Sequence, residues 1–262
     1  MPDIHNPVDG TRISYEIVGD GPPVLLLHGS ALSRAIWRGF GYARALRDRY
    51  RLILVDLRGH GRSARPHGVD DYALDLVVGD VLAVLDEAGV RRTHVLGYSF
   101  GGLVALGLAT RAPDRVSGLI VGGGSSRPRA GAFDRLYFPG AADVLADEGI
   151  DAFLDRWNAV RARPIDPSTR AAFSANDPSA MAAYMRRSDL EPGIPDRLLR
   201  QIVAPTLIFV GSEDTHRIED ARHLATVIPE ASLAIVPGRD HSTTIAARDE
   251  ILAVVEPLLT SR

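Results

Sequence analysis

The serine at position 99 lies in a short stretch whose residue types suit nucleophilic catalysis. Residues 97–101 read Gly-Tyr-Ser-Phe-Gly, between two apolar runs. In this G-x-S-x-G pattern the serine lies on a sharp strand-to-helix turn, where side chains two positions away on either side would collide with neighbouring backbone. Glycines at 97 and 101 avoid that collision. We therefore predict that Ser99 is a nucleophile; the alternative is a tight packing turn without chemistry.

Two later residues have the types and positions of a catalytic acid and base. A serine hydroxyl is a weak nucleophile, which needs a histidine to take its proton and a carboxylate to orient that histidine. In proteins with this G-x-S-x-G turn, these partners follow the serine in the order acid, then histidine, each after a later strand. Asp214 follows the run TLIFVGSE and His241 follows LAIVPGRD, so both are predicted partners of the serine. Glu213 and Asp240 are alternative acids.

Acyl transfer also requires two N–H donors for the negative charge that develops on the carbonyl oxygen. One predicted donor is the backbone N–H of Phe100, directly after the nucleophile. The other is that of Ser30, in the turn His-Gly-Ser-Ala that follows the apolar run PPVLLL. For His28 in that turn, and for His60 in a glycine-rich loop, a structural role is favoured.

The segments that must position these residues alternate between short apolar runs and longer periodic stretches. Predicted strands lie at residues 11–19, 22–29, 51–56, 92–98, 116–124, 205–214 and 231–238. Helical spacing is clearest at 33–50 and at 70–88, where Asp70 opens the predicted helix and Gly89 closes it. Apolar strands with helices between them indicate a parallel sheet covered on both faces. The predicted fold class is α/β.

Residues 125–201 interrupt this alternation because they contain no run of buried-strand type. Helical pieces separated by proline and glycine carry seven of the sixteen aromatic residues. We predict a core of residues 1–124 and 202–262 and a helical cap of residues 125–201. Candidates for an acyl pocket, or alternatively for the cap's packed interior, are Tyr137, Trp157, Met181 and Tyr184. Candidates for carboxylate binding, or alternatively for a solvated surface, are the cap arginines, including Arg129, Arg135, Arg161, Arg186 and Arg187.

Composition excludes several classes of chemistry. The 262 residues include no cysteine and no lysine, so thiolate nucleophiles, thiolate metal sites, disulfides and Schiff-base lysines are excluded. The net charge of −3 is spread along the chain, without a basic patch for nucleic acid. The N-terminal residues do not have the pattern that predicts a signal peptide, and no apolar run is long enough to predict a transmembrane helix. We predict a cytoplasmic protein with a small-molecule substrate, no metal or organic cofactor, and no nucleic-acid or membrane partner. The oligomeric state cannot be predicted.

Taken together, the motifs resemble those of the α/β-hydrolase superfamily. The matching segments are LLLHGS, VDLRGHGRS, GYSFGG, GSED and GRDHS, in the family's order, and the resemblance covers nearly the whole chain. It implies a mostly parallel eight-stranded sheet with a cap inserted after the sixth strand. It also implies that Asp56, Arg58 and Ser63 hold the backbone rather than contact substrate. One departure is Arg239-Asp240 before His241, where many relatives have a small residue and glycine.

The resemblance implies a serine hydrolase that cleaves a small to medium carboxylic ester or lactone through an acyl-enzyme. Alternatives on the same three residues are carbon–carbon bond hydrolysis, thioester hydrolysis and cofactor-free perhydrolysis. Another is a ligand-binding protein that uses a lidded pocket with little turnover. Serine at position 99 argues against the haloalkane dehalogenases and epoxide hydrolases of this fold, which attack with aspartate.

Overall fold

A computed structural model describes residues 2–161 and 164–260 of the chain. Its strands are β1 (Asp3–His5), β2 (Arg12–Val18), β3 (Pro23–Leu27), β4 (Arg51–Val55), β5 (Thr93–Tyr98), β6 (Val116–Gly122), β7 (Thr206–Gly211) and β8 (Ser232–Val236). They form one sheet in the order β1-β2-β4-β3-β5-β6-β7-β8. The pairs β1/β2 and β2/β4 are antiparallel, and every other pair is parallel.

Helices connect these strands and cover both faces of the sheet. They are α1 (Ala35–Gly39), α2 (Tyr42–Leu46), α3 (Leu74–Glu87), α4 (Phe100–Arg111), α5 (Ala132–Leu136), α6 (Ala141–Asp147), α7 (Gly149–Val160), α8 (Pro167–Ser174), α9 (Pro178–Leu190), α10 (Asp196–Leu199), α11 (Ile218–Val227), α12 (His241–Thr244) and α13 (Arg248–Thr260). Short 3-10 turns lie at Asp70–Tyr72 and Pro113–Arg115.

Alternate side chains of the central strands enter two separate hydrophobic cores. In β3, Leu25 and Leu27 pack with α3, α4 and the helices of residues 125–201, whereas Val24 and Leu26 pack with α1, α2 and α13. These four side chains are fully buried. Burial on both faces explains why the strand has no polar alternation. The rigid sheet that results fixes the loops at its edge.

Two predicted helices differ from the structure in ways that backbone geometry explains. The stretch 33–50 forms two short helices, because Gly41 has a φ of 83° between α1 and α2. The stretch 70–88 begins as a 3-10 turn, and α3 starts only at Leu74 because Ala73 is extended, with a ψ of 136°. Strand β1 has no counterpart among the predicted strands, because it is a three-residue edge strand in which two side chains are exposed.

Residues 125–201, called the cap segment below, follow β6. The described part of this segment contains helices α5 to α10 and no strand. Helix α10 lies at its C-terminal end. Its aromatic rings pack on one another: the ring centroid of Trp157 lies 4.9 Å from that of Tyr137 and 5.0 Å from that of Phe173. An aromatic cluster therefore stabilises the segment from within.

The parallel strands bring the predicted site residues to one edge of the sheet. Ser30 follows β3, Ser99 follows β5, Asp214 follows β7 and His241 follows β8. Because these strands are parallel, their carboxyl ends face the same side, beneath the cap segment.

Candidate active site

The turn between β5 and α4 holds Ser99 in an unusual backbone conformation. Its φ is 55° and its ψ −111°, a combination that L-residues rarely adopt. A Cβ atom on Gly97 would lie 2.1 Å from the carbonyl oxygen of Gly101, and one on Gly101 would lie 2.2 Å from that of Leu27. Only glycine fits at both positions, as the sequence pattern predicted. The Ser99 N–H donates to the Gly122 carbonyl at 2.7 Å, which ties the turn to β6.

A continuous hydrogen-bonded chain joins the three predicted side chains. The Nε2 atom of His241 lies 2.9 Å from Ser99 Oγ, and its Nδ1 atom lies 2.6 Å from Asp214 Oδ2. The acid is 2% exposed, whereas Ser99 and His241 are half-buried. A carboxylate on Nδ1 keeps the proton there and leaves Nε2 free to accept one from the serine.

Neighbouring groups fix the position of the histidine. The ring of Tyr98 stacks on that of His241 with centroids 5.4 Å apart, and its hydroxyl donates to the His241 backbone carbonyl. A Cβ atom on Gly123 would lie 3.0 Å from the imidazole Cε1, so the approach of β6 leaves little free space there. Burial raises the pKa of the Tyr98 phenol, which therefore stays a neutral donor.

The two alternative acids do not contact the histidine side chain. Glu213 is exposed. Asp240 caps α12, because its carboxylate accepts hydrogen bonds from the N–H groups of Ser242 and Thr243 at 3.0 and 2.8 Å. Asp214 therefore has the position of the acid, and the departure from the family's pattern at 240 supplies a helix cap.

Two backbone N–H groups beside the nucleophile lack an acceptor within the described residues. They belong to Ser30 and Phe100, the two predicted donors. A Cβ atom on Gly29 would lie 3.2 Å from Ser99 Cβ, so the loop after β3 runs directly beside the nucleophile. Ala31, with a φ of 59°, continues that loop, and its carbonyl accepts a hydrogen bond from Asn176 of the cap segment at 3.0 Å.

The segment after β4 forms hydrogen bonds that hold this edge of the sheet. Asp56 accepts from the N–H groups of Arg34 at 2.8 Å and Arg62 at 2.9 Å. The hydroxyl of Ser63 donates to the Asp56 carbonyl at 2.5 Å and accepts from the Ser14 N–H at 2.9 Å. These contacts link the loop to α1 and β2.

Arg58, in the same segment, makes a buried ion pair. Its Nε and Nη2 atoms each lie 2.6 Å from a carboxylate oxygen of Asp80, and both side chains are fully buried. Its Nη1 atom lies 2.8 Å from Asp9. Such a two-pronged pair matches the guanidinium geometry and fixes the loop to α3.

The histidines at 28 and 60 are buried and neutral. Nε2 of His28 accepts from the Leu57 N–H at 3.1 Å, so its Nδ1 carries the proton and donates to the Gly29 carbonyl at 2.8 Å. Burial lowers the pKa of His28 to about 4. Burial and the neighbouring His28 ring lower the pKa of His60 to about 3. Neither contacts the Ser99 hydroxyl.

Of the four aromatic and methionine candidates in the cap segment, Tyr184 lies at this edge. Its hydroxyl lies 2.6 Å from Ser30 Oγ, and its ring centroid lies 4.7 Å from that of Phe100. Tyr137 and Trp157 belong to the cap segment's aromatic cluster, and Met181 is buried in the same core. Sequence spacing could not predict which of the four lies at the sheet edge, because all four are apolar positions on helices or at their ends.

The cap arginines also divide by position. Arg135 and Arg186 are exposed, and Arg186 pairs with Asp143 at 2.7 Å. Arg187 pairs with Glu191 at 3.0 Å, and the exposed Arg161 lies over the Trp157 ring. Arg129 differs from these four arginines because it is buried.

A comparison with known protein families agrees with this architecture. The family model described as alpha/beta hydrolase fold matches residues 22–183, which is more than half of the chain. The chain belongs to the α/β-hydrolase fold family. The predicted fold is thereby confirmed, and so is the prediction of a hydrolase, because related members of the family are named as hydrolases and esterases.

Several family members are similar over nearly their whole length. A protein of Azorhizobium caulinodans, provisionally named carbamate hydrolase RutD, is 36% identical over 248 residues, 90% of each chain. The solved esterase RhEst1 from Rhodococcus sp. ECU1013 is 31% identical, with a TM-score of 0.81 over 99% of this chain and 98% of its own. The enol-lactonase from Burkholderia xenovorans LB400 is 25% identical, with a TM-score of 0.83 over 99% and 100%.

Within residues 2–161 and 164–260, this α/β-hydrolase has no helix of sufficient length and apolar character to cross a membrane. The predicted cytoplasmic location and the predicted partners remain predictions.

Proposed function

We propose that the chain is a serine hydrolase that cleaves a carboxylic ester or a lactone, with Ser99 as nucleophile, His241 as general base and acid, and Asp214 as the residue that orients the imidazole. The hydrogen-bonded chain Asp214–His241–Ser99 carries this proposal. Since its two distances of 2.6 and 2.9 Å are already those of hydrogen bonds, proton transfer needs little rearrangement.

In the first half of the proposed reaction, Nε2 of His241 takes the hydroxyl proton while Ser99 Oγ attacks the carbonyl carbon of the ester. The carbonyl π electrons move to the oxygen, which becomes negatively charged. When the tetrahedral intermediate collapses, the bond to the alcohol oxygen breaks and the imidazolium donates its proton to that oxygen. The acyl group stays on Ser99.

In the second half, a water molecule replaces the alcohol. His241 takes one water proton as the water oxygen attacks the acyl carbon, and it returns that proton to Ser99 Oγ when the acyl–serine bond breaks. The products are a carboxylic acid and the regenerated serine. Asp214 stabilises the imidazolium in both halves without taking its proton.

The N–H groups of Ser30 and Phe100 are the proposed donors to the developing oxyanion. Two observations support this role: both groups lack an intramolecular acceptor within the described residues, and both lie on loops that adjoin Ser99. The N-terminus of α4 adds a positive electrostatic potential at the same place.

Similarity to known proteins favours ester and lactone hydrolysis over the other reactions that Ser99, His241 and Asp214 could catalyse. Family members similar over nearly their whole length include an esterase and an enol-lactonase, and both names denote hydrolysis of a carbon–oxygen acyl bond. Carbamate hydrolysis is a second candidate, because the Azorhizobium relative is 36% identical over 90% of each chain. The attack on a carbamate carbonyl needs the same nucleophile and oxyanion donors.

The decisive experiment measures hydrolysis of p-nitrophenyl esters of increasing acyl length by the wild type and by Ser99→Ala. A p-nitrophenyl carbamate and labelling by a fluorophosphonate probe are measured in parallel. We expect one label per chain in the wild type, ester turnover, and the loss of both in Ser99→Ala.

Other outcomes redirect the proposal. Labelling of Ser99 with turnover of the carbamate alone would favour the second candidate. Labelling without turnover of either substrate would direct attention to carbon–carbon, thioester or perhydrolase chemistry. If a folded wild-type sample showed neither labelling nor turnover, the proposal would be wrong and a ligand-binding role would replace it.

A further inference from the structure

Arg129 in the cap segment is a buried cation without an ion-pair partner within the described residues. The residue is 7% exposed, and its Nε atom is buried without a hydrogen-bond acceptor. The guanidinium carbon lies over the face of Phe133, 5.1 Å from its ring centroid. Burial of an unpaired charge is costly, and buried charges in proteins are nearly always paired or hydrogen-bonded.

The carboxylates near Arg129 are already bonded to other groups. Asp189 accepts from the Gly131 N–H at 3.0 Å. Glu191 accepts from the Arg187 side chain at 3.0 Å and from the Leu74 N–H at 3.1 Å. Neither carboxylate forms an ion-pair contact with Arg129, but the charges of Arg129 and Asp189 are near each other: burial raises the pKa of Asp189, and the Arg129 guanidinium partly offsets that rise.

A second cation adds to the positive charge around Arg129. Arg217, in the loop after Asp214, has a pKa that burial and the nearby Arg129 guanidinium both lower. Its Nη1 atom lies 3.2 Å from Asp220. Asp220 also lies 3.4 Å from Nε of Arg127 and is therefore shared between two arginines. Arg129 is thus near a second arginine, while the carboxylate of Asp220 is shared between Arg127 and Arg217.

Arg129 lines a small cavity that adjoins the proposed oxyanion hole. The volume of about 10 Å³ is room for about one water molecule. Phe100, Tyr184 and Glu191 form part of its wall. Another lining residue, Ser188, is 4% exposed, and its hydroxyl oxygen is likewise buried without a partner within the described residues. Two unpartnered polar side chains therefore line one cavity next to the residue that follows the nucleophile.

We propose that this cavity is a carboxylate subsite, so that the substrate is an ester or lactone that also carries a carboxylate group. The proposal rests on the proposed hydrolase function and specifies its substrate class. Arg129 supplies a planar pair of N–H donors that matches a carboxylate, and the hydroxyl of Ser188 supplies a third donor. A bound carboxylate would provide the hydrogen-bond acceptor that Nε of Arg129 lacks within the described residues.

The cavity is too small to hold the acyl chain of a substrate. Room for one water molecule does not accommodate an acyl chain between Ser99 and Arg129. Substrate binding at this subsite therefore requires that the side chains around Phe100 and Arg129 move apart.

Two matched pairs of esters test the proposal, one for each side of the ester bond. For the acyl side, the mono-p-nitrophenyl ester of adipic acid is compared with p-nitrophenyl heptanoate. For the alcohol side, para-carboxyphenyl butyrate is compared with para-acetylphenyl butyrate. Each pair gives a ratio of kcat/KM for the charged over the neutral ester, measured for the wild type, Arg129→Met, Arg129→Lys and Arg135→Met. Arg135 is the control because it is an exposed arginine of the same segment.

We expect the wild type to prefer the charged ester in at least one pair. In that pair, Arg129→Met lowers the ratio by about tenfold or more, the usual effect of losing hydrogen bonds to a charged group. Arg129→Lys retains part of the preference because it keeps the charge without the planar donor pair, and Arg135→Met keeps all of it. A wild type without preference in either pair, or a preference that survives in Arg129→Met, would overturn the proposal.

A binding measurement separates this proposal from the proposed function. Calorimetry follows adipate binding to Ser99→Ala and to Ser99→Ala/Arg129→Met, and neither protein requires turnover. Binding to the first and about tenfold weaker binding to the second support the subsite even if no ester is hydrolysed. Hydrolysis of the neutral esters without adipate binding and without charge preference overturns the subsite and leaves the hydrolase standing. Denaturant unfolding checks that Arg129→Met is folded.

Discussion

The hydroxyl oxygens of Tyr184 and Ser30 lie 2.6 Å apart, which joins helix α9 of the cap segment to the loop after β3. The ring of Tyr184 also packs on Phe100, at a centroid distance of 4.7 Å. Ser30 and Phe100 carry the two proposed oxyanion donors. One cap side chain therefore contacts both residues on which the proposed oxyanion hole depends.

We expect Tyr184→Phe to lower kcat by about fivefold, because the loop that carries the Ser30 N–H loses a hydrogen bond worth about 1 kcal/mol. KM should change less, since the lost contact positions the donor and does not bind the substrate. The measurement is steady-state hydrolysis of a p-nitrophenyl ester. Tyr137→Phe is the control, because it removes a hydroxyl from the cap segment's aromatic cluster. Equal losses in the two variants would contradict the argument.

Asp214→Asn should lower kcat by about a thousandfold or more, because an amide can hold the imidazole in the wrong tautomer and cannot stabilise the imidazolium. Glu213→Gln is the matched control: it removes a neighbouring carboxylate that is exposed. Labelling by a fluorophosphonate probe, followed over time, compares the reactivity of the serine in the two variants. A large loss in Glu213→Gln, or near-normal labelling in Asp214→Asn, would assign the acid differently.

The parts of the site that sequence predicted well are those set by backbone geometry. Glycine at 97 and 101 predicted a turn at Ser99, and in the structure both glycines lie where a Cβ atom would collide with backbone. The order of strands likewise predicted that Asp214 and His241 would reach the same edge. Such features depend on local sterics and on the parallel sheet, both of which leave marks in a single sequence.

The parts that sequence did not predict depend on contacts between distant segments. Tyr184 and Ser30 are 154 positions apart in the chain. Residue type alone could not distinguish Tyr184 from Tyr137, because both are buried tyrosines of the cap segment. Arg129 was one arginine among several in the cap segment, and its burial depends on how α5 and α9 pack. The edge strand β1 is too short and too polar to show an alternating pattern.

Two replacements of Ser99 should show how much the strained backbone at this position lowers the stability of the fold. Ser99→Gly and Ser99→Ala both remove the hydroxyl, but only glycine adopts a φ of 55° without steric cost. We expect Ser99→Gly to have a free energy of unfolding about 1 kcal/mol higher than that of Ser99→Ala, with neither variant active. Urea unfolding monitored by circular dichroism makes the comparison. A lower value for glycine would mean that its greater flexibility in the unfolded chain outweighs the relief of strain.

Acid should destabilise the fold through three buried histidines, because burial lowers the pKa of His94 as well as those of His28 and His60. Burial lowers the pKa of His28 to about 4 and that of His60 to about 3, whereas in the unfolded chain each titrates near about 6.5. As the pH falls below about 6.5, the unfolded state therefore binds more protons than the folded state. The folded state has its full stability above that pH. Below it, each histidine costs about 1.4 kcal/mol of unfolding free energy per pH unit, until its folded-state pKa is reached.

His60→Gln should reduce this pH dependence, because one of the protons that the histidines take up on unfolding is removed. Urea unfolding at about pH 7.5, 6 and 5 gives the slope of the unfolding free energy for the wild type and the variant. We expect a wild-type slope that corresponds to about two to three protons between pH 6 and 5, and a slope smaller by about one in His60→Gln. His5→Gln, which removes an exposed histidine, is the control. An unchanged slope in His60→Gln would show that His60 is not buried in its neutral form.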